Sequence, residues 1–528
     1  MITNKLFFSA IIVLFGATVA EAQLRIVAYN TLDPSPEADL GVVLQAIGEE
    51  RVNGFAKPID ILALQEQAAP TTTTQAIVDL LNGIYGAGTY SRSTTFTAGG
   101  SLRQAFVYRN DTVELIDEEA VTRSTVNGFT PPREALRGQF RPIGYDSSAD
   151  FYVYNSHFKA GGGPDEEGDE DRGRRAAEAV NLRNDADALG EGTHAIFLGD
   201  FNLRNDGTAG SSFDPAEPAF GTLLASGPGQ AFDPVANIAP AVWKNNFDAR
   251  FVHTHGGSEI DDRFDFQLPT GEWFDGEGLD FIGDSYRAFG NNGSTYNDPI
   301  NVGNNIVFDF GTNPTYSKTQ VLNALNTASD HLPVVADYQL PSVLSASIVG
   351  LESQVEQGAD ETYSLLIENV ADVVSALGAD DLDYSVTIAN GSVVQFSGSD
   401  LADGIADTFD FTLNTSTLGL NSIFVNITSD AQGTGGGSLQ FSLPYTVVAA
   451  TLDGDFNADG FVDILDYTVW RDGLGSEYTI GQYDLWRNNF GSGTPPSGAI
   501  NATGSVPEPA TTSILLLAAL GGVCGRKR

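Results

Sequence analysis

The amino-acid sequence predicts an α/β region, then an all-β unit, then a small helical module. Between residues 24 and 340, short apolar β-type runs closed by polar residues alternate with stretches patterned as helices. Between 341 and 450, alternating runs recur at roughly ten-residue spacing with turn-rich segments between them, the pattern of a β-sandwich. Residues 455–466 fill a calcium-loop template ahead of two similar helical segments. A chain of 528 residues is too long for one core. Its units are read as 1–22, 23–340, 341–450, 451–492, a linker at 493–505 and a tail at 506–528.

The net charge is −42. Residues 23–340 hold 45 acidic and 21 basic side chains, giving −24, and residues 341–470 contain no Lys or Arg. Such a surface stays soluble and repels polyanions unless a basic groove or bound cations offset it. Contact with a phosphate-bearing substrate is therefore assigned to the first 340 residues. A single cysteine excludes an intrachain disulfide. Lys5, the apolar run Leu6 to Ala20 and the small-x-small pattern Ala20-Glu21-Ala22 predict a secretory signal peptide cleaved after Ala22.

In order, Leu24 to Asn30 reads as a strand ending in an amide, Leu40 to Arg51 as a helix, and Ile59 to Glu66 as a strand ending in an acid. Gln104–Arg109 and Val113–Ile116 are further strands. Arg133 to Arg141 carries three arginines, and Asp150 to Lys159 is a strand delivering His157 and Lys159. The acidic loop 165–171 leads into a helix over Arg172 to Leu189. Ala195 to Asn202 is an apolar run broken by Gly199, which puts Asp200 and Asn202 at its C-terminal end. An irregular region follows, with Trp243, His253 and His255; the last two are spaced for a metal but read as an ordinary loop. His194 reads as structural. Arg263-Phe-Asp-Phe266 resumes strand character, and Ser329-Asp-His331 precedes a last strand, Pro333 to Leu340.

Six short motifs in this order, all at strand ends, resemble the endonuclease/exonuclease/phosphatase superfamily: the amide ending the first strand, Gln65-Glu66, Asn155-x-His157-x-Lys159, Gly199-Asp-Phe-Asn202, Arg263-x-Asp265-Phe and Ser329-Asp-His331. The resemblance spans residues 24–340 and is nearest to extracellular bacterial nucleases of deoxyribonuclease I-like type. It implies a four-layer α/β sandwich, two mixed sheets flanked by helices, with the site where strand ends of both sheets meet. It also implies phosphodiester hydrolysis dependent on Mg²⁺ or Mn²⁺. Glu66 is then the main metal carboxylate, with Asn30, Asp200 and Asp330 completing or adjoining the site. His331 is the general base, oriented by Asp265; Asn202 and, from its place in such enzymes, Arg133 contact the phosphate with Lys159; His157 acts as acid or donor. The glutamate that orients the first histidine in such enzymes is replaced by Leu102, leaving the partner of His157 open.

A nucleic-acid substrate calls for a positive groove around Arg133, Arg137, Arg141, Lys159 and Arg172 to Arg175. A phosphatase or lipid phosphodiesterase of the same fold is the alternative, and a lipid enzyme calls for an exposed aromatic loop, with Trp273-Phe274 the candidate. A third reading is a surface-assembly protein without activity.

In the calcium-loop template, Asp455, Asn457, Asp459, Asp463 and Asp466 stand at positions 1, 3, 5, 9 and 12, with Gly460 at the turn and the Phe461 carbonyl at position 7. Asp at position 12 resembles dockerin loops. Ile464 to Arg471 and Ile480 to Arg487 repeat one another, presenting Tyr467/Trp470 and Tyr483/Trp486, as a duplicated dockerin-like module does; this implies bound Ca²⁺ and a cell-surface or cohesin-like partner. Val506-Pro-Glu-Pro509, the apolar segment Ala510 to Cys524 and Arg526-Lys-Arg528 resemble a PEP-CTERM sorting signal. That implies sorting machinery, a membrane tether, and a periplasmic, surface or extracellular destination in a Gram-negative bacterium.

Overall fold

The computed structural model describes residues 23–493 and 495, apart from 33–36, 53, 96, 99, 101, 162–168, 204–217, 236–250, 257–258, 303–304, 306–308 and 374–377. The signal segment, most of the acidic loop 165–171, Trp243 and the sorting tail lie outside the described residues.

The first unit runs β1 (Gln23–Asn30), α1 (Glu37–Glu49), the short β2 (Arg51–Val52) and β3 (Phe55–Ala56), β4 (Ile61–Gln67), α2 (Gln75–Tyr85), β5 (Tyr90–Arg92), β6 (Arg103–Arg109), β7 (Val113–Ala120), β8 (Leu136–Pro142), β9 (Phe151–His157), α3 (Asp169–Leu189), β10 (Ala195–Asp200), α4 (Pro218–Leu223), β11 (Asp265–Pro269), β12 (Asp280–Phe281), β13 (Arg287–Ala288), α5 (Lys318–Ala328) and β14 (Val334–Gln339). One sheet has the order β12-β14-β1-β4-β6-β5, with β13 also on β14; the other has the order β11-β10-β9-β8-β7. Both are mixed: β1 runs parallel to β4 and antiparallel to β14, and β10 runs parallel to β9 and antiparallel to β11.

The pleat sorts side chains into layers. Leu24, Ile26 and Ala28 of β1 face the core between the sheets with Phe140, Phe151, Ile196 and Tyr338. Val27 and Tyr29 face the other way, onto α1, α2 and α5. On the second sheet Tyr154 and Phe197 turn outward under α3 and α4. Burial on both faces explains why these strands read as continuous apolar runs instead of alternating ones. The arrangement is helices, sheet, sheet, helices. Trp273 departs from expectation: it is fully buried against Phe151 and Tyr338, and only Phe274 is exposed, at 40%. The pair does not form an exposed aromatic loop, because the indole fills the inter-sheet core.

The described elements of residues 344–448 are strands throughout: β15 (Leu344–Val349), β16 (Gln354–Glu356), β17 (Thr362–Asn369), β18 (Leu382–Ala389), β19 (Val393–Asp400), β20 (Asp407–Thr412), β21 (Gly419–Ser429) and β22 (Ser438–Val448). The sheets β15-β17-β20 and β16-β22-β21-β18-β19 enclose one core. This unit is docked on the first. Ala371 and Ala379 join the inter-sheet core, Tyr145 donates to the Pro341 carbonyl at 2.9 Å, and the Gly278 amide donates to Asp380 at 2.7 Å. The last module carries α6 (Ile464–Asp472) and α7 (Gln482–Asn489), whose Tyr467, Trp470, Tyr483 and Trp486 pack ring on ring. Among the described residues no helix is long and apolar enough to cross a membrane.

Candidate active site

The second sheet lines up three site residues by register. Asp200 of β10 pairs with His157 of β9 on one side and with Asp265 of β11 on the other. Gly199 makes the close approach possible: its φ is +120°, and a Cβ there would lie 2.1 Å from the Ser156 carbonyl oxygen. In the first sheet Asn30 ends β1 opposite Gln65 of β4. Glu66 follows in an irregularity where the register with β6 shifts between Leu64 and Gln67, and its φ is 60°. A bulge with left-handed backbone re-aims a side chain, and such strain concentrates at functional sites. Asn202, at φ 47°, is a second case.

Three polar cross-links hold the two sheets and the connecting turn in place. Asn155 donates to the Leu64 and Ala105 carbonyls and accepts from Gln65 at 2.7 Å. Ser329 donates to the Asn30 carbonyl at 2.6 Å and accepts from the His331 amide at 3.1 Å, which fixes the turn after α5 against β1. Thr254 Oγ1 accepts from the Asp265 and Phe264 amides. None of these roles was visible in the sequence, because each joins segments distant along the chain; only their polar character amid apolar runs marked Asn155 and Ser329.

The predicted residues converge. His331 Nδ1 lies 2.7 Å from Asp265 Oδ2, and its Nε2 lies 3.7 Å from Asp200 Oδ2. Asn30 Nδ2 is 3.1 Å from Asp200 and 3.3 Å from Glu66. His157 Nε2 is 3.4 Å from Asp200 and 3.9 Å from Glu66, while its Nδ1 has no hydrogen-bond partner. Among the described residues nothing stands at Nδ1 in place of the glutamate that Leu102 replaces. Burial, with Arg133 and His331 adding to it, holds His157 well below its ordinary pKa, so the ring is neutral. Burial likewise pushes Asp200 up to about 6, opposed by His331. His331 goes the other way: burial disfavours its charge, but Asp265, Asp200 and Asp330 together lift it to about 10.

A divalent cation fits this donor set. Asp200 is a buried carboxylate whose ionisation is disfavoured, Glu66 and the Asn30 amide adjoin it, and Asp200, Asp265 and His331 each bring a ligand atom within 4.8 Å of the others.

The expected phosphate contacts are placed differently. Arg133 donates to the carbonyls of His157 and Phe158, at 3.1 and 2.6 Å. Lys159 pairs with Asp171 at 3.2 Å. Asn202 donates its side-chain amide to the Phe158 carbonyl. The anticipated basic groove is largely tied up. Arg137 pairs with Asp185 and Glu119, Arg141 with Asp150, and Arg174 with Glu170, while Arg175 is buried with a bond to the Lys159 carbonyl. An acidic chain neutralises its arginines locally, a feature that spacing along a sequence does not reveal. Glu178, pushed up to about 8 by burial, accepts from the Lys159 amide beneath them.

His253 and His255 do not act together. His253 is buried against Tyr296, whereas His255 stacks on Phe264 and faces His331. His194 packs edge-on against Trp273, as a structural residue does.

In the calcium-loop segment Gly460 has φ +82° and its amide donates to Asp455 at 2.8 Å. Asp466 caps the loop, accepting from the amides of Phe456, Asn457 and Asp463. Asp459 accepts from the Phe461 amide and from Asn457, and Asp463 caps α6. Three clusters of acids and histidines within 4.8 Å occur among the described residues, and this loop is not one of them.

Several solved structures are similar to this chain. The catalytic domain of human Nocturnin with bound sulfate is 14% identical, with a TM-score of 0.35, over 62% of this chain and 97% of its own. The endonuclease/exonuclease/phosphatase from Bacteroides vulgatus is 16% identical, with a TM-score of 0.35, over 61% of this chain and all (100%) of its own. That from Beutenbergia cavernae is 12% identical, with a TM-score of 0.35, over 81% and 100%. No curated protein matches the chain. Residues 505–528 match the PEP-CTERM protein-sorting motif, so the chain carries the C-terminal sorting signal that its Pro-Glu-Pro segment suggested.

Proposed function

We propose that this is an exported, divalent-cation-dependent phosphodiesterase, with nucleic acid as its substrate class. The observation that carries the reading is one cluster built from two sheets: Asp200 and Asp265 from one, Asn30 and Glu66 from the other, with His331 brought between them by the turn ahead of β14.

Glu66, Asp200 and Asn30, with Asp330 alongside, are the residues that would hold the cation. When bound, it supplies polarisation of the phosphoryl oxygens and offsets the charge of the leaving oxygen. His331 takes the proton of the attacking water at Nε2, because Asp265 keeps Nδ1 protonated. Asp265, Asp200 and Asp330 favour the charged form of His331; with their charge offset by a cation, His331 would have Nε2 available as a base. Neutral His157 serves as an N–H donor toward the phosphoryl group. Asn202 and Arg133 hold the backbone around His157 and Phe158, and Lys159 pairs with Asp171; each reaches phosphate only when its present partner releases it.

The neutralised arginines favour a second reading, a phosphatase or lipid phosphodiesterase that needs no long positive track. The buried Trp273 weighs against the lipid form. Loss of activity with retention of an assembly role is disfavoured by the complete set of acids and histidines. On this reading export ends at the cell surface or periplasm, with residues 451–492 available to a surface or cohesin-like partner.

The test is an assay of the full chain with Mg²⁺ against DNA, RNA, sphingomyelin and inositol phosphates. Glu66→Gln keeps the shape and removes the ligand charge, and should lower turnover by at least ~10³-fold. Near wild-type turnover at saturating Mg²⁺ would sink the metal assignment.

A further inference from the structure

We infer that His255, Asp330 and His331 form a second cation site at the mouth of the pocket, selective for a transition metal such as Zn²⁺ and inhibitory when filled.

His255 and His331 are partners in an isolated antiparallel bridge, which makes their side chains cross-strand neighbours; their ring centroids are 4.6 Å apart. One ligand-bearing atom from each of His255, Asp330 and His331 lies within 4.8 Å of the others. Two imidazoles on one Zn²⁺ hold their nitrogens roughly 3.4 Å apart, a spacing inside the 4.8 Å over which these ligand atoms already lie. His331 shows the arrangement that prepares an imidazole for metal: its Nδ1 is backed by Asp265 at 2.7 Å, and a carboxylate there fixes the tautomer and leaves Nε2 to ligate. His255 Nδ1 is buried 3.8 Å from Asp262 without a hydrogen bond to it, so a ring nitrogen of His255 is also uncommitted. Phe264, stacked on His255 at 4.5 Å, holds that ring in place. Two nitrogens and one carboxylate oxygen favour Zn²⁺ over Mg²⁺, which prefers oxygen alone. The pocket beside it, built from Glu66, Asp200 and Asn30, has the opposite preference.

Occupancy here engages His331 and so withdraws the base from water; this inhibition rests on the hydrolase reading, whereas the binding does not. The test titrates the full chain with Zn²⁺ and with Co²⁺ in millimolar Mg²⁺, following heat and the cobalt d–d bands. The wild type should bind one ion with a tetrahedral-type spectrum. His255→Gln should weaken binding at least tenfold. His255→Cys, which supplies a thiolate, should restore it and add a sulfur-to-cobalt charge-transfer band. Equal affinity in wild type and His255→Gln, with both folded by circular dichroism, overturns the site. Zn²⁺ binding that depends on His255 in a protein that hydrolyses none of the phosphoesters upholds the site and overturns the proposed function instead.

Discussion

At the scale of single residues, the contact between Asp265 and His331 concentrates most of the chemistry. Asp265 is fully buried and shared between Thr254, which binds its amide, and His331, which binds its carboxylate. Asp265→Asn preserves volume but presents an amide that no longer selects the Nδ1–H tautomer. We expect kcat to fall by roughly 10²–10⁴ with KM changed less than about threefold. Steady-state kinetics in Mg²⁺ checks this, and a kcat within fivefold of wild type would refute the assignment of base and partner. Asn30, Glu66, His157 and Asp200 were singled out in the sequence because each sits where an apolar strand run stops, and Asp265 and His331 because short motifs place them just where one begins. A polar group at the end of a buried strand has few reasons to be there unless it works. His255 was not legible, since it lies in a loop and its significance comes from a bridge to a residue 76 positions later. The engagement of Arg133 and Arg137 was hidden for the same reason: their partners lie on other elements.

At the scale of elements, the strands and helices marked by the apolar pattern occur with shifts of a few residues at the boundaries. Helices α2, α4 and α5 and the short strands β2, β3, β5, β12 and β13 escaped it, as did two strands of the second unit. Gln354–Glu356 is only three residues long, and Val393–Asp400 leaves most of its side chains exposed, so neither produces an alternating apolar signal. The Glu66 irregularity also lay beyond pattern reading, because a bulge appears only against its partner strand. Where the sandwich meets the first unit, Asp380 adjoins Glu277 and Asp430. Burial pushes its carboxyl up to about 7, against the bond from the Gly278 amide. A raised folded-state value means that protonation supports folding: the contribution is complete below the ordinary carboxylate range and is lost as pH rises through about 7. Asp380→Asn keeps the acceptor and abolishes the charge. It should leave stability near pH 4 unchanged and add on the order of 1 kcal/mol at pH 8. Thermal unfolding at the two pH values decides this, and no gain at pH 8 would show that the buried carboxylate is not strained.

At the scale of the whole molecule, the acidic surplus is distributed by function. The unit carrying the pocket holds nearly all the basic side chains, the sandwich holds none, and the terminal module gathers carboxylates in one loop. That loop is held by hydrogen bonds from its own amides to Asp455 and Asp466. Asp455, Asp459, Asp463 and Asp466 repel one another, and Ca²⁺ would draw them together and tighten α6 against Trp486, whose Nε1 already donates to the Asp463 carbonyl at 2.7 Å. Trp470 and Trp486 fluorescence should change on Ca²⁺ addition with a midpoint of ~0.1–1 mM and return on chelation. Flat fluorescence and calorimetry to several times that range would reduce the segment to an acidic spacer.

The pairing of β1 with β14 has a consequence in time. These are the first and last strands of the first unit, and they lie side by side. Asn30 enters the chain at its beginning, while His331 arrives some three hundred residues later, just ahead of β14. A nascent or partly translocated chain therefore possesses acids but no base, and hydrolysis cannot begin before the unit closes on itself. On the proposed phosphodiesterase reading, that ordering would shield the cell's own polymers during synthesis. Chains ending at residue 328 should be inert toward every substrate that the full protein cleaves, and measurable turnover from them would remove this safeguard.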